Sequence, residues 1–213
     1  CLESGAEAVH PGYGFLSENP GFARRCEEEG ITFVGPSAKA MALSGDKIAS
    51  RKAMREAGLP ITAGVDRVVR TVDEARPLAA TLGYPVFFKA TAGGGGIGMS
   101  RVDRPKDLAA AFESARSVAR ANFGNPDLFL EKFLQRARHV EVQVLIGGRG
   151  KGLGFVEREC SVQRRHQKLV EETPSPAVTP SLRRKLIDAA VRGLQAIGYR
   201  NAGTVEFLLH DGR

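Results

Sequence analysis

The sequence has no tryptophan, and its 213 residues include three cysteines and 7% aromatic residues. The cysteines, Cys1, Cys26 and Cys160, are odd in number and far apart, which favours a reducing compartment over a disulfide framework. No run of about 18 apolar residues is present, so we expect no membrane-spanning helix and no membrane partner. The first residues show no basic segment followed by an apolar one, so no secretory signal is indicated. These absences predict a cytoplasmic protein, or a mitochondrial one in a eukaryote.

The net charge of +7 raises the question of nucleic-acid binding. The basic residues are mixed with acids, as in RRCEEE at residues 24–29, and aromatic side chains do not alternate with them as in a base-stacking platform. We therefore expect no nucleic-acid partner. Solvated faces and an anionic small substrate account for the charge.

The most informative stretch is PVFFKATAGGGGIGM at residues 85–99. A short apolar run delivers Lys89, and five glycines follow it, whose amides can approach a ligand closely. The loop lacks the GK[ST] ending of a Walker A motif, and a β pattern rather than a helix follows, which excludes the Rossmann fingerprint. The stretch predicts a hairpin lid over a triphosphate, with a flexible surface loop as the alternative.

Capping residues divide the rest of the chain into helices and strands. The end of a buried strand at 6–9, a helix capped by Asn19 and a strand at 31–34 form a βαβ unit. Asp46 caps a helix with Lys47 in its first turn, and Thr71 with Glu74 forms a capping box for a helix that ends at residue 83. With a further helix opened by residues 104–105, residues 61–130 predict a small α+β lobe.

The second half predicts a sheet with one polar face. Residues 139–146 alternate, with valines and isoleucine on one face and His139, Glu141 and Gln143 on the other. We expect a second strand at 152–159, a helix from Thr179 to residue 198, and a last strand at 203–209 that holds Glu206 among apolar neighbours. A carboxylate on a mostly buried strand needs an arginine across the sheet or a divalent cation.

Seven stretches, taken together, resemble biotin carboxylase, the ATP-grasp component of biotin-dependent carboxylases. In chain order they are HPGYGFLSEN at 10–19, GDK at 45–47, Lys89 with its glycine loop, EK at 131–132, RHVE at 138–141, ECSVQRRHQK at 159–168 and AGTVEF at 202–207. The resemblance implies an α/β ATP-grasp fold with an α+β lid, preceded by the end of a Rossmann-like N-terminal domain. It implies domain bounds of 1–43 for that N-terminal part, 44–60 for a linker helix, 61–133 for the lid and 134–213 for the first part of the C-terminal subdomain.

The resemblance also implies the reaction and the residues that serve it. The activity would be ATP- and bicarbonate-dependent carboxylation of biotin on a carrier protein, through carboxyphosphate and with Mg²⁺ or Mn²⁺, as part of an acyl-CoA carboxylase of fatty acid metabolism. The matching positions serve the phosphates (Lys47 and Lys89, covered by Gly95 and Gly96), the adenine edge (Glu131, Lys132, Phe133 and Leu134), the nucleotide and biotin side of the cleft (His139, Gln163 and His166), catalysis at bicarbonate (Lys168) and the metal (Glu206). Expected partners are a biotin carboxyl carrier domain, a carboxyltransferase and a second copy of the full-length protein.

Two departures from the family pattern qualify the resemblance. Ala92 replaces a glycine of the loop, and Ile97 replaces an arginine or lysine. The chain also begins at Cys1 and ends at Arg213, before the family's second metal-binding glutamate and the residues that bind and deprotonate bicarbonate. We therefore expect an internal fragment that is inactive alone. The alternatives are another ATP-grasp ligase, such as carbamoyl phosphate synthetase, and a non-catalytic nucleotide-binding module.

Overall fold

The computed structural model describes residues 1–93, 96–164 and 167–212. Within them the helices are α1 (Pro20–Glu28), α2 (Ala38–Gly45), α3 (Lys47–Glu56), α4 (Val72–Leu82), α5 (Leu108–Phe123) and α6 (Pro180–Ala196). The strands are β1 (Ala8–Val9), β2 (Thr32–Phe33), β3 (Val86–Ala90), β4 (Ser100–Val102), β5 (Leu128–Lys132), β6 (Arg138–Ile146), β7 (Gly152–Gly154), β8 (Arg158–Arg164), β9 (Gln167–Glu172) and β10 (Asn201–Leu209). Among the described residues, no helix combines the length and apolar character that crossing a bilayer needs.

The chain divides into two compact units. The first contains Cys1–Gly45, Arg138–Ser161 and Glu171–Arg213, and the second contains Asp46–Ala137 and Val162–Val170. Each unit has its own buried apolar residues.

The first unit is built on an antiparallel sheet. Within this unit its strand order is β10, β6 and the start of β8, and β7 pairs with the other end of β6. Helix α6 begins at Thr179, whose hydroxyl accepts a hydrogen bond from Leu182 N, and Pro180 provides the fixed φ that suits a first helical residue. The valines of β6 are fully buried, so the face predicted to be apolar forms the core of this unit.

A buried ion pair joins α6 to the sheet of the first unit. The Glu157 carboxylate, which is 0% exposed, accepts hydrogen bonds from Arg183 Nε (2.6 Å), Arg183 Nη2 (2.8 Å) and Ser175 N (3.1 Å). Burial alone would raise the pKa of this carboxyl, but the hydrogen bonds from Arg183 and Ser175 outweigh burial and lower the pKa below its ordinary value. Glu157 therefore stays charged and fixes α6.

The first unit also contains the predicted βαβ unit. Strands β1 and β2 pair in parallel through Ala8 with Thr32 and Val9 with Phe33, and the Asn19 side chain caps α1 by accepting from Phe22 N. Asn201, at the start of β10, donates to Gly35 O at 2.7 Å and so ties this segment to the sheet.

The second unit is a three-stranded antiparallel sheet with helices packed against it. The strand order is β4, β3 and β5, and α4 and α5 cover its buried side chains. Fully buried Phe88 and Phe112 meet edge to face, with ring centroids 5.4 Å apart. Thr71 caps α4, and Gly124 ends α5 in the left-handed conformation.

Four sequence expectations about local structure need correction. The strand expected at 152–159 is two strands, β7 and β8, with residues 155–157 between them. Helix α2 was not expected, although Ser37 Oγ accepts from Ala40 N at its start. Strand β1 is not buried as expected, because it belongs to a sheet of only two strands and pairs with β2 alone. Strand β10 lies at an edge of its sheet, so alternate side chains, including that of Glu206, are exposed rather than buried.

Candidate functional site

In the second unit, Lys89 lies beside a buried carboxylate. Phe87 and Glu131 are cross-strand neighbours on β3 and β5, and period two puts Lys89 on the same face as Phe87. The Lys89 ammonium pairs with Glu131 Oε2, and the side chains are 26% and 9% exposed. The lysine that the sequence assigned to the phosphates therefore has a counter-ion within its own sheet.

Helix α3 begins next to the glycine loop. Lys47 N donates to Thr91 O at 3.1 Å, and Thr91 lies between Lys89 and the glycines. The Asp46 carboxylate caps this helix, because Oδ1 accepts from Ile48 N (2.9 Å) and Ala49 N (3.0 Å). Since those two amides are occupied, a phosphate at this end of α3 would meet the exposed Lys47 side chain rather than the helix amides.

The described part of the glycine loop is held at its base. Ala90 N donates to Gly98 O at 3.2 Å, and Gly93, Gly96 and Gly98 all have positive φ, which favours glycine. A Cβ at Gly93 would lie 2.2 Å from Phe123 Cε1, so Phe123 excludes a side chain there. Gly95, predicted to cover the phosphates, lies outside the described residues.

The segment predicted to hold the adenine edge continues β5. Lys132 Nζ donates to Gly83 O (2.7 Å) and Tyr84 O (3.1 Å), while Phe133 meets the Phe87 ring edge to face. The amides of Lys132 and Phe133 donate to Ala63 O and Pro85 O. Leu134, which is half-buried, follows directly. Any adenine contact from the Lys132 and Phe133 backbone must therefore use carbonyl oxygens.

The basic run of the sequence lies on β8 and β9. Gln163 and Lys168 belong to the second unit and are half-buried. His166 lies outside the described residues. Because each strand places alternate residues on opposite faces, the sequence spacing alone does not fix which of these side chains share a surface.

In the first unit, three potential metal ligands come together on β6 and β10. Glu206 is the cross-strand neighbour of Glu141, and His139 Nε2 lies 3.3 Å from Glu206 Oε1. The ligand atoms of His139, Glu141 and Glu206 all lie within 4.8 Å of one another. The Glu206 side chain is 59% exposed and the Glu141 side chain 3%.

The two carboxylates of this cluster fit a hard divalent cation better than the imidazole does. Carboxylates suit Mg²⁺ and Mn²⁺, and imidazole suits Mn²⁺ better than Mg²⁺. Arg158 Nε already donates to Glu141 Oε1 at 2.6 Å, so this carboxylate has a cationic partner within the sheet. Glu206 is the most exposed of the three, with 59% of its side chain accessible.

A second group of potential ligands, Glu141, Cys160 and Glu171, surrounds the same arginine. Arg158 pairs with both carboxylates, with Nε 3.7 Å from Glu171 Oε2. Because a cationic side chain already occupies the space between them, this group is better explained as a structural ion-pair cluster. No disulfide joins the three cysteines, all of which lie in the described part of the chain.

Sequence reasoning missed the partners of Glu131. Arg51 Nη1 donates to Glu131 Oε1 at 2.8 Å across 80 residues of chain, and Asp66 accepts from Arg51 Nε at 3.2 Å. No spacing in the sequence signals these contacts, because they depend on the Arg51 side chain of α3 reaching β5 in the folded unit.

Comparisons with known proteins agree with this architecture. Residues 46–213 match the family described as carbamoyl-phosphate synthase L chain, ATP binding domain, and residues 1–41 match the biotin carboxylase N-terminal domain. A pyruvate carboxylase polypeptide of Methanothermobacter thermautotrophicus is 51% identical over 210 residues, which cover 99% of this chain and 43% of that protein. Biotin carboxylase 2 of Bacillus subtilis is 49% identical over 204 residues, which cover 96% of this chain and 46% of that protein.

Two solved structures are similar along nearly the whole chain. A biotin carboxylase complex with β-γ-ATP from Campylobacter jejuni is 44% identical with a TM-score of 0.96, over 99% of this chain and 47% of that chain. The biotin carboxylase domain dimer of Hydrogenobacter thermophilus 2-oxoglutarate carboxylase, in complex with MgADP, ADP and bicarbonate, is 47% identical with a TM-score of 0.95, over 99% of this chain and 46% of that chain.

The fold is thus that of the ATP-grasp proteins, as the sequence predicted. The chain belongs to the carbamoyl-phosphate synthase L chain ATP-binding domain family, and its expected resemblance to biotin carboxylase is confirmed. It spans less than half the length of the curated relatives it matches. The roles of individual site residues and the domain bounds drawn from the sequence stay predictions.

Proposed function

We propose that this chain supplies the nucleotide-binding part of a biotin carboxylase, an ATP-dependent ligase that carboxylates biotin on a carrier protein with bicarbonate. The observation that carries the proposal is the Lys47 N to Thr91 O hydrogen bond of 3.1 Å, which brings the first turn of α3 to the glycine loop just after Lys89. Two lysines and a run of backbone amides then belong to one small region of the second unit. A triphosphate matches that arrangement in charge and in shape.

Each proposed residue has a physical task in this reaction. Lys47 and Lys89 neutralise the phosphates, and Gly95 and Gly96 cover them and exclude water. The segment Glu131, Lys132, Phe133 and Leu134 holds the adenine edge, and His139, Gln163 and His166 line the cleft. Lys168 contacts bicarbonate and the transferred phosphoryl group of the carboxyphosphate route. These groups orient two anions and offset developing negative charge, which is most of what phosphoryl transfer requires.

Glu206 is the proposed metal ligand. Carboxylates are ligands that Mg²⁺ and Mn²⁺ prefer. Its exposed carboxylate, with His139 and Glu141 beside it, supports this assignment.

The larger assembly is also part of the proposal. Biotin on a carrier domain and a carboxyltransferase would be the partners, and the Hydrogenobacter relative, which is a dimer, supports a homodimer of the full-length protein. We propose a cytoplasmic enzyme. The acyl-CoA carboxylase assignment stays a prediction from the sequence, because similar proteins are named for pyruvate and 2-oxoglutarate carboxylases.

The test is the cofactor dependence of ATP hydrolysis by the protein that carries this sequence. We expect phosphate release that requires both biotin and bicarbonate, and that falls at least about tenfold in Lys89→Met because a phosphate contact is lost. Lys52→Met, an exposed cation change on α3, serves as the control. ATP hydrolysis that ignores biotin would contradict the proposal.

A carbamoyl phosphate synthetase-like ligase is the second candidate, because the description of the family matched at residues 46–213 names that enzyme. The match of residues 1–41 to the biotin carboxylase N-terminal domain favours the first candidate. Hydrolysis stimulated by ammonia or glutamine, and not by biotin, would select the second.

A further inference from the structure

The Glu131 carboxylate is shared between two cations. Arg51 Nη1 donates to Oε1 at 2.8 Å, and the Lys89 ammonium pairs with Oε2. We infer that Arg51 is a positioning residue that acts through Glu131 on Lys89 and so sets how readily Lys89 binds a triphosphate. The inference rests on the proposed nucleotide-binding role of Lys89.

Each of the three guanidinium nitrogens of Arg51 donates a hydrogen bond. Besides the bond to Glu131, Nη2 donates to Thr62 O at 2.7 Å, and Nε donates to Asp66 Oδ1 at 3.2 Å. The guanidinium also lies over the Phe129 ring, 5.8 Å from its centroid, and the side chain is 11% exposed. A lysine could not make these contacts together, because its single ammonium lacks the planar fork of arginine.

Asp66 strengthens this arrangement from the other side. A hydrogen bond from Arg55 lowers the pKa of the Asp66 carboxyl, against the opposing effect of partial burial, and the bond from Arg51 lowers it further. Asp66 is therefore anionic at neutral pH and fixes Arg51 at the end opposite Glu131.

The chain leaves room for the guanidinium at one glycine. Gly64 is bridged to Glu131 in antiparallel fashion, and a Cβ at Gly64 would lie 2.8 Å from Arg51 Nη2 and 2.9 Å from Leu130 O. The absence of a side chain at this position is thus a condition for the Arg51 contacts. This observation is independent of the ion pairs themselves.

The effect of Arg51 on Lys89 follows from how the two cations share the oxygens of the Glu131 carboxylate. With Arg51 present, one oxygen of Glu131 is engaged by the guanidinium, and Lys89 has the other. Without Arg51, the whole carboxylate would pair with Lys89, and Glu131 would lose the contact that fixes its rotamer. A triphosphate would then have to compete with an undivided ion pair for a lysine that is less well placed.

The experiment measures MgATP binding to the full-length protein that carries this sequence by isothermal titration calorimetry, with thermal melting of each variant. We expect Arg51→Met to raise Kd about tenfold, a coupling of the usual size for groups in one network. Lys52→Met, which removes an exposed cation from the same helix, should change Kd by less than about twofold. In a Glu131→Gln background, Arg51→Met should likewise have less than about a twofold effect, because Arg51 acts through that carboxylate.

The outcomes separate this inference from the proposed function. A folded Arg51→Met chain that binds as the unaltered chain does, or a loss that persists undiminished with Gln at position 131, would overturn the inference alone. If Arg51→Met does not fold, Arg51→Lys decides: an intermediate Kd supports the inference, and an unchanged Kd overturns it. An unaltered, folded full-length protein that binds no MgATP would contradict the proposed function and this inference with it.

Discussion

Replacing Gly64 by alanine tests the packing around Glu131 with a single methyl group. The new Cβ would lie 2.8 Å from Arg51 Nη2 and 2.9 Å from Leu130 O, both closer than side-chain carbons normally approach. The carbonyl is held in place, because Val65 N donates to it at 2.8 Å, so Arg51 must move. Overpacking costs about 1–3 kcal/mol, and a lost hydrogen bond from a charged donor costs about 1.5–3 kcal/mol. Because Arg51 can relieve part of the clash by moving, we expect Gly64→Ala to lower the free energy of unfolding by about 3 kcal/mol.

Native-state hydrogen exchange of the β5 amides is the suitable assay, because it reports on the second unit directly. The control is Gly148→Ala, where no atom lies within 4 Å of the added Cβ and φ is not positive, and we expect a change within about 0.5 kcal/mol. We also expect Gly64→Ala to raise the Kd for MgATP, as Arg51→Met does. Unchanged protection of β5 in Gly64→Ala would refute the packing argument.

Three further changes probe other parts of the chain. Gly93→Ala places a Cβ 2.2 Å from the Phe123 ring at a φ of +84°. We expect the free energy of unfolding, measured by thermal melting, to fall by about 2–4 kcal/mol. An unchanged melting temperature would contradict the placement of Phe123. Glu157→Gln removes a buried, hydrogen-bonded charge and should cost about 3 kcal/mol at neutral pH. Because its folded pKa is lowered, the Glu157 contribution is present above the ordinary carboxyl pKa of about 4.3 and is lost as the pH falls through the lowered value, so urea denaturation should show the two proteins converging in acid. Glu206→Gln should weaken Mn²⁺ binding at least about tenfold by electron paramagnetic resonance, without destabilising the fold. The exposed change Glu113→Gln should leave Mn²⁺ binding as it is. Equal Mn²⁺ retention by both variants would remove Glu206 from the metal site.

Helix starts could be predicted from the sequence because capping is local. Asn19, Asp46, Thr71 and Thr179 all cap helices as expected, each through a side-chain oxygen that accepts from an amide two or three residues ahead. Exposure of β10 could not be predicted in this way. It depends on which strand lies at the edge of the sheet, and alternation in the sequence does not give strand order.

The candidate site residues were chosen from motifs and from the family resemblance, and their roles stay predictions. The glycine loop identified Lys89, and the family resemblance identified Glu131, but nothing in the sequence placed their side chains in contact. That contact requires the β3 and β5 register, which pairs Phe87 with Glu131. The role of Arg51 was even harder to predict. Its bond to Glu131 joins residues that are 80 positions apart in the sequence and meet only in the folded unit.

The proposed phosphate-binding role of Lys89 would benefit from a shared counter-ion. Its side chain is 26% exposed, so without a carboxylate nearby its ammonium would be poorly placed before the nucleotide arrives. A carboxylate devoted to Lys89 alone would place it well but would also compete with the phosphates. Dividing Glu131 between Lys89 and a fully engaged arginine meets both requirements, because the carboxylate keeps its position and charge whether or not Lys89 turns to a phosphate. For this reason, the Arg51 effect on MgATP binding should depend on the charge at position 131.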